Sequence, residues 1–422
     1  MRSQVSRAGD FPLQTTQPDV SDEAPARSCD GWSFQFVREW SVIDSQPFLE
    51  RWQSAVAQAI EAGAEVSIYQ HPGFVLSWLR TMKTLENIEP LLGFSADGRG
   101  NQLFLPWVIV REQGRVFTRR VLEHVGLFMS GYTDPLVFAG DETHIDWEGF
   151  WNSAHFATAH WCDLSRFRFV RTKRAGVRGA VEHKESTPVL NLERFGNFSR
   201  WHASCSGEYR YDIRRKLRRL ESQDEVRLRI YAPSEGESVR HDVVENFLPH
   251  HSRISFAKDY SDPFLEPRMT EWLFDLCKVG VPEGWCVYST LSVGDNPVAW
   301  VVGFLLDRNF YFWRPTYALE WKAFSPGKVL LFMLIEHAFS ADWRAIHFHT
   351  GDQSYKFAVR PDFLSIKSIT RPSPGIRGTL LGFYDRVRAN VAVRFPGLLR
   401  SKLEERRGSY GAPSDGSSEE ES

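Results

Sequence analysis

The stretch that decides the fold runs from Asn309 to Val359 and reads NFYFWRPTYALEWKAFSPGKVLLFMLIEHAFSADWRAIHFHTGDQSYKFAV. An aromatic run typical of a strand, residues 310–313, is followed by a loop and then by Ser-Pro-Gly-Lys at 325–328. An apolar segment at helical spacing comes next, and residues 345–349 are again typical of a strand. Each piece has a physical role if the ligand is long, with a phosphate at one end and a reactive group at the other.

The turn into the helix has the features of a phosphate site. Ser325 is a favourable N-cap residue, Pro326 suits the first helical position, and Gly327 leaves room for a ligand. The free N–H groups and the positive end of the helix dipole bind anions, and Lys328 adds a positive charge. Many buried helices begin in the same way, and the turn is neither a Walker nor a Rossmann fingerprint, so the turn alone leaves both interpretations open.

With these residues the chain resembles the GNAT acetyltransferase superfamily. The order strand, SPGKVLL helix, strand and TGD-x-x-YK is most similar to the CelD-like proteins of bacterial cellulose and exopolysaccharide loci, which are related to the FemAB peptidyltransferases. In that subgroup the SPG turn stands where other acetyltransferases have a glycine-rich pyrophosphate loop. The resemblance assigns the pyrophosphate of acetyl-CoA to Ser325, Pro326, Gly327, Lys328 and Val329. His347 stands where the subgroup usually has an aspartate, which implies an altered substrate or weakened activity.

The resemblance also implies where the reaction takes place. The strands on either side of the helix splay apart, the thioester lies in the gap, and backbone groups around Phe312 and Trp313 pair with the pantetheine arm. Tyr355 lies just past the second strand, where many acetyltransferases place a tyrosine that protonates the leaving thiolate. A buried core tyrosine is the alternative. Acetyl-CoA is the implied co-substrate.

The residue that takes the proton of the acceptor stays open. Asp352 lies close in sequence to the splay, and Asp134 comes from the first half, from which Fem-type relatives bring a carboxylate to the cleft. His347 and His349 alternate on one strand face and are either bases or hydrogen-bonded structural residues. With Asp352 these histidines also resemble part of a metal site, but no further ligand is evident, so we predict no metal.

Four cationic residues are predicted to bind the acceptor or another anionic group. Arg215 and Lys216 lie in the basic helix Ser206–Glu221, Arg314 ends the aromatic strand, and Lys356 follows Tyr355. Arginine suits bidentate binding of carboxylates and phosphates, whereas a solvated basic face and a surface lysine are the structural alternatives. The pair His250-His251 lies in a predicted helix and is interpreted as incidental.

Composition restricts the partners and the compartment. The 422 residues carry a net charge of −2 and are 42% hydrophobic, which predicts folded domains and argues against a general nucleic-acid binder. Five scattered cysteines without a CxxC pair indicate reduced thiols in a cytosol. The first 30 residues are polar, and no apolar run reaches about 18 residues, so we expect a cytoplasmic protein without a transmembrane segment.

The chain is predicted to be α+β, with two tandem GNAT-like domains that each contain a mostly antiparallel mixed sheet flanked by helices. In the first half the resemblance rests on HPGFVLSWL from His71, the strand pair around LLGFSADGRGNQLFLPWVIV from Leu91, and EHVGLFMSGYTDPL from Glu123. The predicted organisation is a disordered arm at 1–32, an N-terminal domain at 33–190, a catalytic domain at 191–400 and a disordered acidic tail at 401–422. Predicted local elements include a strand at Glu65–Tyr69, a helix at Pro72–Met82, a closing strand at Leu364–Ile369 and a helix at Leu380–Val393.

These features favour an acyl-CoA-dependent N- or O-acyltransferase, with acetyl as the acyl group. The resemblance implies a small-molecule or glycan acceptor in bacterial glycan or envelope metabolism, and contact with polysaccharide-synthesis machinery. One alternative is a Fem-like aminoacyl transferase that uses charged tRNA. Another is a non-catalytic GNAT-like scaffold in polysaccharide assembly, which the histidine at 347 motivates.

Overall fold

Two mixed, mostly antiparallel β-sheets with helices packed on them make up the described part of the protein. The computed structural model describes residues 27–29, 31–113, 118–182, 187–258, 262–351, 353–375 and 378–380. The predicted α+β class with two such sheets is confirmed. The predicted acidic tail, nearly all of the predicted helix at Leu380–Val393 and residues 1–26 of the predicted arm lie outside the described ranges. Arg27–Cys29, within that arm, form a strand.

The first sheet has nine strands in the described ranges. They are β1 (Arg27–Cys29), β2 (Trp32–Val37), β3 (Ile88–Asp97), β4 (Gln102–Gln113), β5 (Thr118–His124), β6 (Leu136–Ala139), β7 (Leu164–Arg171), β8 (Val181–Glu182) and β16 (Ile366–Pro372). Their order is β1-β2-β3-β4-β5-β7-β16-β8, with β6 paired to β4. The centre of β4 is buried without alternation, because apolar clusters lie on both faces of the sheet.

The second sheet carries the stretch that decided the fold. Its strands are β9 (Thr187–Asn191), β10 (Val226–Ile230), β11 (Cys286–Val293), β12 (Asn296–Leu306), β13 (Asn309–Tyr317), β14 (Ala345–His347) and β15 (Asp362–Leu364). Their order is β10-β11-β12-β13-β14-β9-β15, and the β13–β14 pair is parallel. The aromatic strand is therefore central, with the meander on one side and the strand after the SPG helix on the other.

Helices cover both sheets. They are α1 (Trp40–Ile43), α2 (Gln46–Glu61), α3 (Pro72–Met82), α4 (Trp147–Thr158), α5 (Phe198–Ser204), α6 (Gly207–Glu221), α7 (Gly236–Asp242), α8 (Leu248–Ala257), α9 (Pro267–Gly280), α10 (Pro326–Ser340) and α11 (Ser354–Ala358). The prediction for α3 is confirmed at both ends. Within the described ranges, no helix is long and apolar enough to cross a bilayer.

Two local predictions are wrong. Glu65–Tyr69 is not a strand, because Ser67 and Gln70 close a turn through a hydrogen bond of 2.9 Å from the Ser67 N–H to the Gln70 side chain, and residues 68–70 form a 3-10 turn. The predicted closing strand at Leu364–Ile369 is two strands in different sheets, β15 in the second and β16 in the first. A break at Ser365 separates them.

The two halves share one core. Phe74 of α3 contacts Trp272 of α9 at 5.5 Å between ring centroids, and Trp272 contacts Trp313 of β13 at 5.6 Å. All three rings belong to one buried cluster that also contains residues of α2 and β4. With β16 of the second half paired to β7 of the first, this packing holds the loops of the first half against the ends of β13 and β14.

Candidate active site

The strands β13 and β14 separate after a short contact. They pair only over Asn309–Tyr311 and Ala345–His347. Beyond Tyr311, β13 continues to Tyr317 with β12 as its partner among the described strands. After β14 the chain turns away at His349, whose backbone is left-handed with φ of 58°. The splay that the resemblance implies is therefore present, and it leaves the edge of β13 open from Phe312 onward.

A cavity of about 640 Å³ occupies the gap between these strands. Its walls come from residues 128–131 of the first half, the α8 region, β13, the turn before α10 and the segment after β14. The described lining residues include no carboxylate, but they include five cationic residues: Lys258, Arg314, Lys322, Lys328 and Lys356. This excess of positive charge favours an anionic ligand.

The turn before α10 opens into the cavity. Ser325, Gly327 and Lys328 line it, while Pro326 and Val329 are buried in the helix start behind them. Ser325 is the N-cap residue, but its side chain makes no capping hydrogen bond, because its backbone is left-handed with φ of 54°. A Cβ built on Gly327 has only the Tyr317 side chain within 4 Å, at 3.7 Å. The glycine is thus not required by internal packing, and the space above it is open to a ligand.

Neither basic residue predicted on α6 lines the cavity, and both pair with Asp212. Arg215 is 54% exposed, whereas Lys216 is buried and acts on the charge of Lys328. The Asp212 carboxylate lies 3.8 Å from the Lys328 ammonium group. Burial, with the charge of Lys216 added, lowers the pKa of Lys328. An anion at the helix start would stabilise both lysines.

The end of β13 is held against the first half. The Trp313 indole N–H donates to the Met129 carbonyl at 3.2 Å, and an Arg314 Nη atom lies 2.8 Å from the Met129 sulfur. The Arg314 Nε is buried without a hydrogen-bond partner, and no ion pair to a described carboxylate joins this guanidinium. Burial lowers the pKa of Arg314. Arg314 is half-buried with a buried Nε that has no hydrogen-bond partner, which fits the binding of an anionic group.

The residues after β14 supply a tyrosine and a lysine. Tyr355 lines the cavity, with its ring 6.5 Å from that of Phe312, and burial raises its pKa. Its phenol therefore keeps its proton at neutral pH. Lys356 is buried and donates to the Thr350 carbonyl at 3.0 Å, so it also holds the loop. Asp352 lies outside the described residues.

The two histidines of the second strand have different surroundings. His347 does not line the cavity; the Tyr132 hydroxyl lies 2.9 Å from its Nδ1, its ring stacks on Tyr311, and burial lowers its pKa to about 3. His349 lines the cavity, and the Tyr69 hydroxyl lies 3.1 Å from its ring nitrogens. Burial and the cation of Lys356 lower the pKa of His349 well below its usual value.

The structure does not bring Asp134 to the cavity. Its side chain is fully buried, and its carboxylate accepts from the Arg171 backbone N–H and the Arg171 Nε, both at 2.7 Å. Arg171 also pairs with Glu65 at 2.7 Å. These contacts give Asp134 a structural role, because both of its oxygens are already bound.

Sequence reasoning missed the wall that α8 contributes. The cavity lining includes His251, Ile254, Ser255 and Lys258, and His251 lies 3.1 Å from Asp262. The sequence carries no local signal for this wall, because the residues near His251 come from separate elements: Asp262 from a later turn and Arg314 from β13. The packing of α8 on β13 brings His251 into the wall of the cavity.

One comparison with known proteins concerns this same region, and the others extend over most of the chain. A family model described as an acetyltransferase (GNAT) domain matches residues 207–357. No curated protein matches the chain. Solved structures similar to it include FemX (10% identity, 72% of this chain and 96% of that one, TM-score 0.47) and a tandem GNAT protein from the clavulanic acid biosynthesis pathway (10%, 81% and 99%, TM-score 0.44). A conserved protein of unknown function from Bacteroides thetaiotaomicron is also similar (10%, 76% and 96%, TM-score 0.46).

The family-model match covers α6, the splayed strands, the SPG turn and Tyr355. All described cavity-lining residues of the second half, from His251 to Lys356, lie within this match. Residues 207–357 are therefore similar to the acetyltransferase (GNAT) domain family.

Proposed function

We propose that the protein is an acyl-CoA-dependent N- or O-acyltransferase, with acetyl-CoA as the donor and an amine or hydroxyl as the acceptor. The observation that carries this proposal is the cavity itself. It joins an open strand edge to a helix N-terminus, and its described lining is cationic without a carboxylate. Acyl-CoA has the matching shape, with a thioester at one end of an extended arm and phosphates at the other.

The residues fit such a donor along the length of the cavity. The N–H groups at Gly327 and the ammonium groups of Lys328 and Lys216 suit the pyrophosphate. The open edge of β13 at Phe312 and Trp313 suits an extended arm with amide groups, because backbone N–H and C=O groups there have no strand partner in the described ranges. The donor, when bound, supplies the activated acyl group.

Residues of the chain would then act on the leaving thiol and on the acceptor. Tyr355 keeps its proton and lines the cavity, so it suits the role of donor to the leaving sulfur. Arg314, half-buried and without an ion pair to a described carboxylate, suits an anionic group on the acceptor. Lys356 contributes positive charge to the same wall.

We further propose that the acceptor belongs to bacterial glycan or exopolysaccharide metabolism in the cytoplasm. The support for this setting is the likeness of the SPGK-to-YK stretch to CelD-like proteins. The acceptor would be an amino sugar, a nucleotide sugar or a glycan hydroxyl group. Contact with polysaccharide-synthesis machinery is part of the same proposal.

The test is a turnover measurement with the full-length protein, acetyl-CoA and a panel of amino sugars and nucleotide sugars. Release of free thiol is followed, and the acetylated product is identified by mass spectrometry. We expect thiol release that depends on at least one acceptor and is lost in Gly327→Trp. Binding of acetyl-CoA without transfer to any acceptor would favour the scaffold, and transfer from charged tRNA alone would favour the Fem-like alternative.

A further inference from the structure

We propose that His251 is the general base of the acyl transfer and that Asp262 is its positioning residue. This inference rests on the proposed function, because it names the group that takes the acceptor's proton in that reaction. The supporting observations are the place of His251 in the cavity wall, its contact with a buried carboxylate and the fixed orientation of its ring.

The contact between the two residues assigns different roles to the two ring nitrogens. Nδ1 of His251 lies 3.1 Å from a carboxylate oxygen of Asp262, whose side chain is only 2% exposed; the two atoms are at ion-pair distance, although their alignment is not that of a hydrogen bond in this conformation. Asp262 is itself held by the Ser252 hydroxyl and by the backbone N–H of Phe264. Because Nδ1 lies against Asp262 and the residue lines the cavity, the proposal assigns Nε2 to the acceptor. A carboxylate behind one nitrogen and a substrate before the other is the arrangement that makes imidazole an effective base.

The ring is also fixed in orientation. It stacks on Phe247 at 5.7 Å between centroids and meets Phe264 edge-on at 5.1 Å. A π-helical turn at Val243–Phe247 precedes α8, and Pro249 follows it in the first turn of that helix. A π-helical turn shifts the register of the residues after it and is frequent at functional sites. Here it sets the face of α8 that carries His251.

His251 is better suited to this role than the other histidine of the described lining. His349 contacts a neutral hydroxyl group, and the nearby cations Lys356 and Arg314 oppose its protonation. His251 has a carboxylate within 3.1 Å that stabilises the imidazolium formed during the reaction. Burial and Arg314 lower the pKa of His251 while Asp262 raises it, so the ring is neutral at neutral pH and able to accept a proton.

The proposed step balances in atoms and electrons. The acceptor's O–H or N–H gives its proton to Nε2 of His251 as the freed electron pair forms the bond to the acyl carbon. The carbon–sulfur bond breaks, and the sulfur takes the proton of Tyr355. The proton on His251 then returns to Tyr355 through solvent, so the products are the acylated acceptor and a free thiol.

The charges around His251 also indicate what the acceptor carries. The groups that act on it are the Asp262 carboxylate, from the turn before α9, and the Arg314 guanidinium, from β13. Lys258 and Lys322 line the same cavity. An acceptor whose nucleophile reaches His251 therefore brings its neighbouring groups close to Arg314, which favours a carboxylate or phosphate on the acceptor.

The test compares His251→Gln and Asp262→Asn with the control His250→Gln. His250 stacks on Trp300 and is not in the cavity lining. We expect His251→Gln to lower kcat about 100- to 10,000-fold without changing the affinity for acetyl-CoA, because general-base catalysis usually contributes a factor of this size to the rate. The control should keep its kcat. The proposal would be overturned if His251→Gln kept the wild-type kcat, or if its affinity for acetyl-CoA fell by as large a factor as its kcat.

The pH profile separates a base from a structural histidine. In the wild type, kcat/KM should rise with pH through the pKa of His251, and this rise should be absent in His251→Gln. In Asp262→Asn it should move to lower pH, because the imidazolium loses its carboxylate. NMR titration of His251 should show the same downward shift of its pKa without any substrate. An identical His251 pKa in the wild type and in Asp262→Asn would refute the role of Asp262 as the partner of His251. Because this titration needs no substrate, its outcome does not depend on whether the proposed function is right.

Discussion

Replacing Gly327 by alanine should stabilise the protein and weaken its binding of acetyl-CoA. Gly327 is the second residue of α10, its φ is not left-handed, and an added Cβ meets Tyr317 at an ordinary contact distance of 3.7 Å. Alanine in a helix is better than glycine by about 0.5–1 kcal/mol. For a chain of this size the melting temperature should rise by about 1–2 °C.

The loss of affinity follows from the same Cβ. It enters the space above the helix start, where the N–H groups would bind the pyrophosphate. A hydrogen bond to a charged group is worth about 1.5–3 kcal/mol, so losing one should weaken binding about 10- to 150-fold. Gly207→Ala is the matched control, because Gly207 begins α6 and an added Cβ there meets nothing within 4 Å.

Thermal unfolding and calorimetric titration with acetyl-CoA would be measured on both variants. Both should be at least as stable as the wild type, and only Gly327→Ala should lose affinity. Unchanged affinity in Gly327→Ala would refute the role of the turn as pyrophosphate site. A clear loss of stability in Gly327→Ala would instead contradict the conclusion that the space above Gly327 is open.

Three further predictions concern single residues. Tyr355→Phe should lower turnover about 100-fold with acetyl-CoA affinity unchanged, because it removes a proton donor and keeps the ring; equal turnover in a thiol-release assay would contradict this. Asp134→Asn should reduce the free energy of unfolding by about 3 kcal/mol, measured in urea, because it leaves the buried Arg171 short of its partner, and native-like stability would argue against the structural role. Burial raises the pKa of Glu65, but Arg171 and Lys173 outweigh it and lower that pKa from 4.5 to about 2. The stability difference between wild type and Glu65→Gln should therefore be full above pH 4.5 and disappear as pH falls towards 2; a difference that persists at pH 2 would show that the charge is not its cause.

Local sequence patterns predicted the elements whose packing is also local. The helix at Pro72–Met82 and the strand–helix–strand order around Pro326–Ser340 follow from periodicity and from proline at the helix start. Ser325 is the N-cap residue as predicted, but its backbone is left-handed and its side chain makes no capping hydrogen bond. Propensity describes which residues start a helix but not the direction from which the chain enters it.

Predictions that depended on pairing over long distances failed for a different reason. Ile366–Pro372 leaves the second sheet for the first, and no pattern of apolar residues says which sheet a short strand joins. The sequence did not distinguish Arg215 from Lys216, because both belong to one basic helix, and only the packing of that helix beside α10 shows that Lys216 is the buried one of the two. The contact between His251 and Asp262 was missed because it depends on how α8 packs against a separate turn, which no local sequence pattern indicates.

The most direct measurement of the central claim is a calorimetric titration of the full-length protein with acetyl-CoA. We predict saturable binding of one molecule per chain, weaker at high salt because lysines hold the phosphates, and abolished in Gly327→Trp. A wild-type protein that is folded by circular dichroism and yet gives no heat of binding would contradict the account.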